Sequence, residues 1–338
     1  MSTILRFLLA VMSLLISPAL QGGLREEIGT KLIVHFHGEH ANESARQLIQ
    51  ENHVGGFMFF SWANGLQNRQ QVFQLCSSLQ ALSRQPLIFA VDQEGGRVTH
   101  LKGEFTVPPS PRTLSPDSVF FYAQTVAREM KEVGIGLNFA PLLDLVKDSA
   151  FSPLGLRSYG GDTQRVIDCG RAALLAMRQE GVEGCVKHFP GLGSIGLDTH
   201  HHLPLLNKTL EELEREDLVP FIALLPETRY LMVGHVIVPA LDVDCPASLS
   251  KKVINDYLRG VLGYRGLVVS DSLVMRGAIQ HAGSIEEAAW QALQAGCDYI
   301  ILGGKVGETE LQPDDIGRIL DYLVAKTQDV SIVTDTDH

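Results

Sequence analysis

After residue 22 the chain switches repeatedly between two hydrophobic periods, and this alternation limits the folds open to it more than any other feature. Short apolar or β-branched runs occur at 31–37, 54–60, 87–92, 136–144, 182–188, 230–237, 266–271 and 299–303. Between them, segments 42–53, 66–83, 117–133, 164–180, 208–224, 250–262, 284–295 and 313–327 repeat apolar residues at three- and four-residue spacing, the period of a helix with one buried face. Helix start signals include Asn42 before Glu43 and Thr209 before Glu211 and Glu212. Eight strands alternating with eight helices predict an α/β chain, a single-domain (β/α)8 barrel of the TIM type over 23–328 with a polar tail at 329–338. An open doubly wound sheet is the alternative. The barrel is favoured because the strand runs are almost continuously apolar, as buried parallel strands are. Polar residues also gather at the C-terminal ends of those runs: His35, His37, Asp92, Asn138, Asp144, Lys187, His188, His235 and Asp271. A barrel brings these ends to one mouth, where barrel enzymes carry their active sites, whereas an open sheet spreads them along an edge.

The 338 residues would allow two domains, but α/β barrels commonly reach this length and no linker, repeat or low-complexity tract divides the chain. A formal net charge of -11 argues against a nucleic-acid partner, which calls for a basic stripe. Arg6, the apolar run Phe7–Ile16 and the small-residue site Ser17-Pro18-Ala19 have the form of a secretory signal peptide over residues 1–19. Its apolar run is short for a membrane span, so no stable span is expected after cleavage. The expected location is periplasmic or secreted, with an uncleaved anchor or an ordinary first helix in a cytoplasmic protein as the alternative. The five cysteines are scattered, form no CxxC pair and read as buried structural thiols.

Two segments carry the chemistry. Lys187-His188-Phe189-Pro190-Gly191 follows an apolar strand run and leads, past Gly193 and Gly196, to Asp198-Thr199-His200. Asp198 could accept a hydrogen bond from one imidazole nitrogen of His200, leaving the other to donate a proton. Its alternative is a polar surface turn. Asp271 ends another apolar run; it is either a carboxylate at the barrel mouth or a helix N-cap, a task Ser272 could also perform. A carboxylate nucleophile and a His/Asp proton donor are the two parts a glycoside hydrolase needs. Asp92 could accept sugar hydroxyls, and Gly95-Gly96 beside it suits a turn with positive φ. Arg157 is suited to hydroxyl or anion recognition, or to a surface ion pair. Lys187 and His188, being adjacent, face opposite ways on a regular strand unless the chain bends. A rival reading assembles His35, His37, Lys187, His188, His235 and Asp271 on the ligand plan of a metal-dependent amidohydrolase barrel, with zinc-compatible ligand types. It leaves Asp92, Asp198 and His200 without a role.

At these residues the chain resembles family 3 of the glycoside hydrolases, in its single-barrel β-N-acetylhexosaminidase branch, from about residue 27 to 304. The resemblance rests on the order and spacing of Val91-Asp92-Gln93-Glu94-Gly95-Gly96-Arg97-Val98, Asn138-Phe139-Ala140-Pro141, Arg157-Ser158-Tyr159, Lys187-His188-Phe189-Pro190-Gly191, Asp198-Thr199-His200, Ala247-Ser248-Leu249-Ser250 and Ser270-Asp271-Ser272-Leu273. It implies Asp271 as nucleophile, His200 as acid/base supported by Asp198, and Asp92, Arg157, Lys187 and His188 as sugar-binding residues, with no cofactor and no metal. Leu192, His100 and Ser272 depart from the family's usual His, Arg and Asp; His100 thus stands where a sugar-contacting Arg is usual. The implied activity is retaining, double-displacement release of terminal N-acetylglucosamine from peptidoglycan-derived or related glycosides. A His acid adds no second negative charge beside Asp271, so phosphorolysis is the related alternative. The expected partner is a small carbohydrate.

Overall fold

The computed structural model describes residues 18–150, 152–195, 203–305 and 310–335. The strands of its main sheet are β1 (Leu32–Val34), β2 (Gly56–Phe59), β3 (Ile88–Val91), β4 (Leu137–Asn138), β5 (Glu183–Phe189), β6 (Tyr230–Val233), β7 (Leu267–Ser270) and β8 (Ile300–Leu302), with two small antiparallel pairs outside it, Gln93–Gly95 with Val98–Thr99 and Ile237–Val238 with Asp242–Pro246. Strands β1 to β8 pair in parallel in the order β7-β6-β5-β4-β3-β2-β1-β8. A parallel bridge between Val269 and Tyr299 joins β7 to β8, and Ser270 N–H donates to the Tyr299 carbonyl at 3.0 Å. The sheet therefore closes into the expected (β/α)8 barrel, and the open-sheet alternative falls.

Alternation along the strands builds two separate apolar regions. Leu32, Val34, Phe57, Phe59, Phe89 and Val91 point outward into a core shared with the helices. Ile33, Met58, Ala90, Phe139, Cys185, Met232, Val269 and Ile301 point inward and fill the lumen. Both sets are buried, which is why the runs read as continuously apolar.

The helices are α1 (Pro18–Gly29), α2 (Glu43–Gln50), α3 (Ser61–Asn64), α4 (Arg69–Leu82), α5 (Pro116–Glu132), α6 (Thr163–Gln179), α7 (Leu210–Arg215), α8 (Val219–Leu224), α9 (Lys252–Val261), α10 (Arg276–Ala282), α11 (Ile285–Ala295) and α12 (Pro313–Asp335). The Asn42 side chain caps α2 by accepting from Ala45 N–H at 3.0 Å, and Thr209 caps α7 in a reciprocal box with Glu212. The structure departs from the sequence expectation in several helices. Segment 208–224 is two helices, because the chain breaks at Glu216–Leu218 and restarts with Pro220 in the first turn, where its missing N–H costs nothing. Segment 250–262 winds with wider π-type bonding, ending with Leu262 N–H donating to the Tyr257 carbonyl. Helices α1, α3 and α10 lie outside the expected helical segments. Helix α12 continues to Asp335, where a polar tail from 329 was expected.

Arg25 of α1 reaches Asp321 on α12 and, at 3.1 Å, Asn52 Oδ1. The rest of the expected signal segment, residues 1–17, lies outside the described residues. Among those described, no helix is long and apolar enough to cross a membrane. All five cysteines carry free thiols, four of them buried and Cys245 half-buried. Replacing lumen-filling Phe139 by alanine should cost roughly 3–5 kcal/mol in urea unfolding. The same change at Phe121, 62% exposed, should stay within about 0.5 kcal/mol.

Candidate active site

At the C-terminal mouth of the barrel lies a cavity of about 150 Å³. Met58, Met232 and Ile301, from β2, β6 and β8, give it apolar lining, while Asp92, Arg157, Lys187, His188, Asp271 and Ser272 line it with polar groups. Five of the eight residues nominated from sequence therefore line one cavity.

The least exposed charge lining the cavity is Lys187, 2% exposed on β5. Its Nζ lies 2.5 Å from Asp92 Oδ1 and 2.6 Å from Glu94 Oε1. Glu94 also receives a two-pronged contact from Arg157, Nε to Oε2 at 2.8 Å and Nη2 to Oε1 at 2.7 Å. Burial alone would raise the Glu94 carboxyl, but Lys187 and Arg157 outweigh it and hold the group down at about 2. Burial alone would likewise lower Lys187, and Asp92 with Glu94 reverses the direction, so the ammonium stays charged. The turn bearing both acids is braced beneath. Gln93 N–H donates to Asn138 Oδ1 at 3.0 Å, Asn138 Nδ2 donates to the Gln93 carbonyl at 3.1 Å, and Gln93 Oε1 accepts from His100 and Leu101 N–H. Gly95 and Gly96 take φ of 98° and 58°, as the turn reading required.

Lys187 and His188 both line the cavity, so the strand does bend there. The pairing of β5 with β6 shifts register between Val186 and Phe189, and the Lys187–His188 and Phe189–Pro190 peptides are cis. His188 Nδ1 lies 2.8 Å from Asp144 Oδ2. A carboxylate only accepts, so Nδ1 carries the hydrogen and Nε2 is the ring's remaining polar atom. Asp144, fully buried at the exit of β4, also accepts from His188 N–H at 3.2 Å and Leu192 N–H at 2.6 Å.

Asp271 follows β7 directly. Its N–H donates to the Val233 carbonyl at 2.9 Å, and its Oδ1 accepts from Ser272 N–H at 2.7 Å. The carboxylate is thus oriented by backbone on the barrel itself, and it does not cap α10, whose first residue is Arg276. Ser272 Oγ donates to the Gly303 carbonyl at 2.5 Å, tying this turn to β8.

The ligand plan of a metal-dependent amidohydrolase is not assembled. His235 is fully buried, with Nε2 donating to the Ser272 carbonyl at 2.9 Å and Nδ1 accepting from Ser248 Oγ at 2.6 Å. His35 Nδ1 accepts from Gly304 N–H at 3.2 Å, which turns its Nε2 toward Glu310 at 3.3 Å; His37 faces the same carboxylate at 3.5 Å. His188 is committed to Asp144. Among the described residues no three His, Cys, Asp or Glu side chains converge as a metal site.

His100 does not line the cavity. Its Nδ1 meets Ser61 N–H and Oγ, both at 3.3 Å, its ring packs edge-on to Phe60, and burial lowers its pKa despite Asp92 nearby. Asp198 and His200 lie outside the described residues. Sequence reasoning missed the partners: Glu94, which anchors Arg157 and Lys187, Asp144, which orients His188, and Arg97, which lines the rim. Glu94 stands inside a motif already singled out and Asp144 at a strand end already noted; the physical signal for both is that a buried cation or imidazole calls for a carboxylate partner.

Replacing Glu94 by glutamine leaves two buried cations sharing Asp92, and should lower stability by roughly 3–5 kcal/mol by denaturant titration. Because the folded-state pKa of Glu94 is depressed from 4.5 to about 2, its contribution is complete above the unfolded value and is lost as pH falls between the two. The wild type should therefore lose stability in that window more steeply than the glutamine variant.

The Glycosyl hydrolase family 3 N terminal domain model matches residues 23–324. A β-hexosaminidase of Pseudomonas aeruginosa is 36% identical over 299 residues, covering 86% of this chain and 85% of that protein. Among solved structures, a family 3 β-N-acetylglucosaminidase from Paenibacillus sp. str. FPU-7 superposes with a TM-score of 0.83 at 35% identity, covering 89% of this chain and 57% of its own. NagZ from Neisseria gonorrhoeae, in complex with N-trifluoroacetyl-D-glucosamine, gives a TM-score of 0.77 at 29% identity over 88% of each chain. With the barrel, the mouth cavity and the ordered motifs all in agreement, the chain belongs to glycoside hydrolase family 3.

Proposed function

We propose that this glycoside hydrolase is a retaining exo-β-N-acetylglucosaminidase. The observation that carries the reading is a small cavity with an apolar barrel interior beneath it, lined by both Asp271 and the Asp92–Lys187–Arg157–His188 set. A site of this size suits one terminal sugar. Fixed acceptors and donors in the cavity lining suit its hydroxyls, and the β-hexosaminidase and N-acylglucosamine relatives support the N-acetyl preference.

In this mechanism the Asp271 carboxylate attacks the anomeric carbon as the glycosidic C–O bond breaks. His200, oriented by Asp198, protonates the departing oxygen. The glycosyl ester on Asp271 is then cleaved by a water that His200 deprotonates, so the anomeric configuration is retained. Lys187, Arg157 and Asp92 hold the ring so that the anomeric carbon meets Asp271. The substrate class is N-acetylglucosamine glycosides, with peptidoglycan-derived saccharides as the natural aglycone source. Residues 1–19 direct export, on the strength of Arg6, the apolar run and the small-residue site.

Release of a chromophore from an aryl β-N-acetylglucosaminide should persist in EDTA and be independent of added phosphate. It should fall about 10³-fold or more in Asp271→Asn, the scale on which loss of a covalent nucleophile acts. Full activity in that variant would remove the assignment, and EDTA-sensitive turnover would reopen a metal mechanism. For export, cell fractionation with N-terminal mass spectrometry should find the mature chain outside the cytoplasm; a cytoplasmic product retaining residues 1–19 would contradict it.

A further inference from the structure

The segment from Gly191 to Lys208 leaves β5 and returns to α7, and it carries Asp198 and His200 in sequence. Its two ends meet at one carboxylate. Asp217, 2% exposed, lies at the break between α7 and α8. Ser194 Oγ on the outgoing leg donates to Asp217 Oδ1 at 3.1 Å. Lys208 on the return leg donates to Asp217 Oδ2, to Ser194 Oγ at 3.1 Å and to Glu216 Oε2 at 3.0 Å. Lys147, from the loop after β4, reaches the same Glu216 oxygen at 3.2 Å. The outgoing leg also passes close to Asp217: a Cβ on Gly191 would stand 2.9 Å from Asp217 Cβ, and Gly191 adopts φ of 125°. The legs are otherwise held from opposite sides, Leu192 N–H by Asp144 and Leu206 N–H by the Ile237 carbonyl at 2.8 Å.

We propose that Asp217, acting through Lys208 and Ser194, is a positioning group for acid/base catalysis. It ties the two ends of this loop together, and efficient proton donation depends on that tie. A buried carboxylate is costly unless paired, and an apolar side chain of similar volume often holds a fold as well. What the carboxylate adds is a direct bond to both ends of one loop. Small misplacement of a reacting group, about 1 Å, costs on the order of 10²-fold in rate. This inference rests on the assignment of His200 as acid/base.

The test compares kcat/KM for two substrates, a 2,4-dinitrophenyl β-N-acetylglucosaminide, whose leaving group departs without protonation, and the phenyl glycoside, which needs an acid. Asp217→Asn should lose roughly 10- to 100-fold on the phenyl glycoside and less than about threefold on the dinitrophenyl one, a discrimination that lost folded protein cannot produce. Lys208→Met should show the same selectivity, and Lys208→Arg should restore the phenyl rate; these variants carry the test if Asp217→Asn does not fold. Equal losses on both substrates, or none, would overturn the proposal. His200→Ala is measured beside them. If it is selective and the Asp217 and Lys208 variants are not, the positioning role alone fails. If it is not selective, the acid/base assignment has failed.

Discussion

Lys187 is the interaction on which the mouth of this barrel depends. A buried ammonium is tolerated only with carboxylates in direct contact, and two are supplied, Asp92 and Glu94, from one turn after β3. Glu94 in turn fixes Arg157 from the loop after β4. One ion cluster thus ties together the exits of β3, β4 and β5. Its charges interact through little water, so each is held in place more firmly than a surface pair would be. On the proposed function, a sugar entering the cavity meets polar groups already oriented, and little of its binding energy is spent on ordering them.

Asp144 does for the loop what Glu94 does for the cation pair. Its two oxygens serve the His188 ring, the His188 backbone and Leu192 N–H, while its own carbonyl accepts from Ser158 Oγ at 2.6 Å. A wall residue of the cavity, the start of the following loop and the Arg157 loop are therefore referenced to one buried acid. Glu94 and Asp144 each hold residues that line the cavity, Arg157 and Lys187 in one case and His188 in the other.

The fold was legible because both faces of every strand are buried, which makes eight apolar runs stand out from helices with one apolar stripe. The breaks were less legible where local chemistry competed with periodicity. Asp217 and Pro220 interrupt a pattern that is helical in its apolar spacing, because Asp217 is drawn to Ser194 and Lys208 from a distant loop leg. The lining of the mouth cavity was legible where a polar residue ends a strand run, hence Asp92, Lys187, His188 and Asp271. The histidines at the same ends, His35 and His235, read identically in sequence, yet each spends both ring nitrogens on protein partners. Residue type and strand position cannot separate a His that serves a ligand from one that ties two loops together, since that depends on which carbonyl or hydroxyl lies opposite.

The two halves of the proposed chemistry are built on unequal supports. Asp271 rides on the barrel: its N–H joins β6, the next residue's N–H holds its carboxylate, and Ser272 joins β8. A nucleophile must meet the anomeric carbon along one line of approach, and a position at a strand end supplies that constancy. The acid/base pair lies instead in a connection between β5 and α7, where it must meet a leaving group that differs from substrate to substrate and must later admit water. A loop can serve both tasks only if its ends do not wander. The structure concentrates polar bonds on those ends, Asp144 at one and Asp217 across both. In the proposed mechanism the nucleophile is thereby fixed by the sheet, while the acid/base residues belong to a loop whose ends are clamped by Asp144 and Asp217.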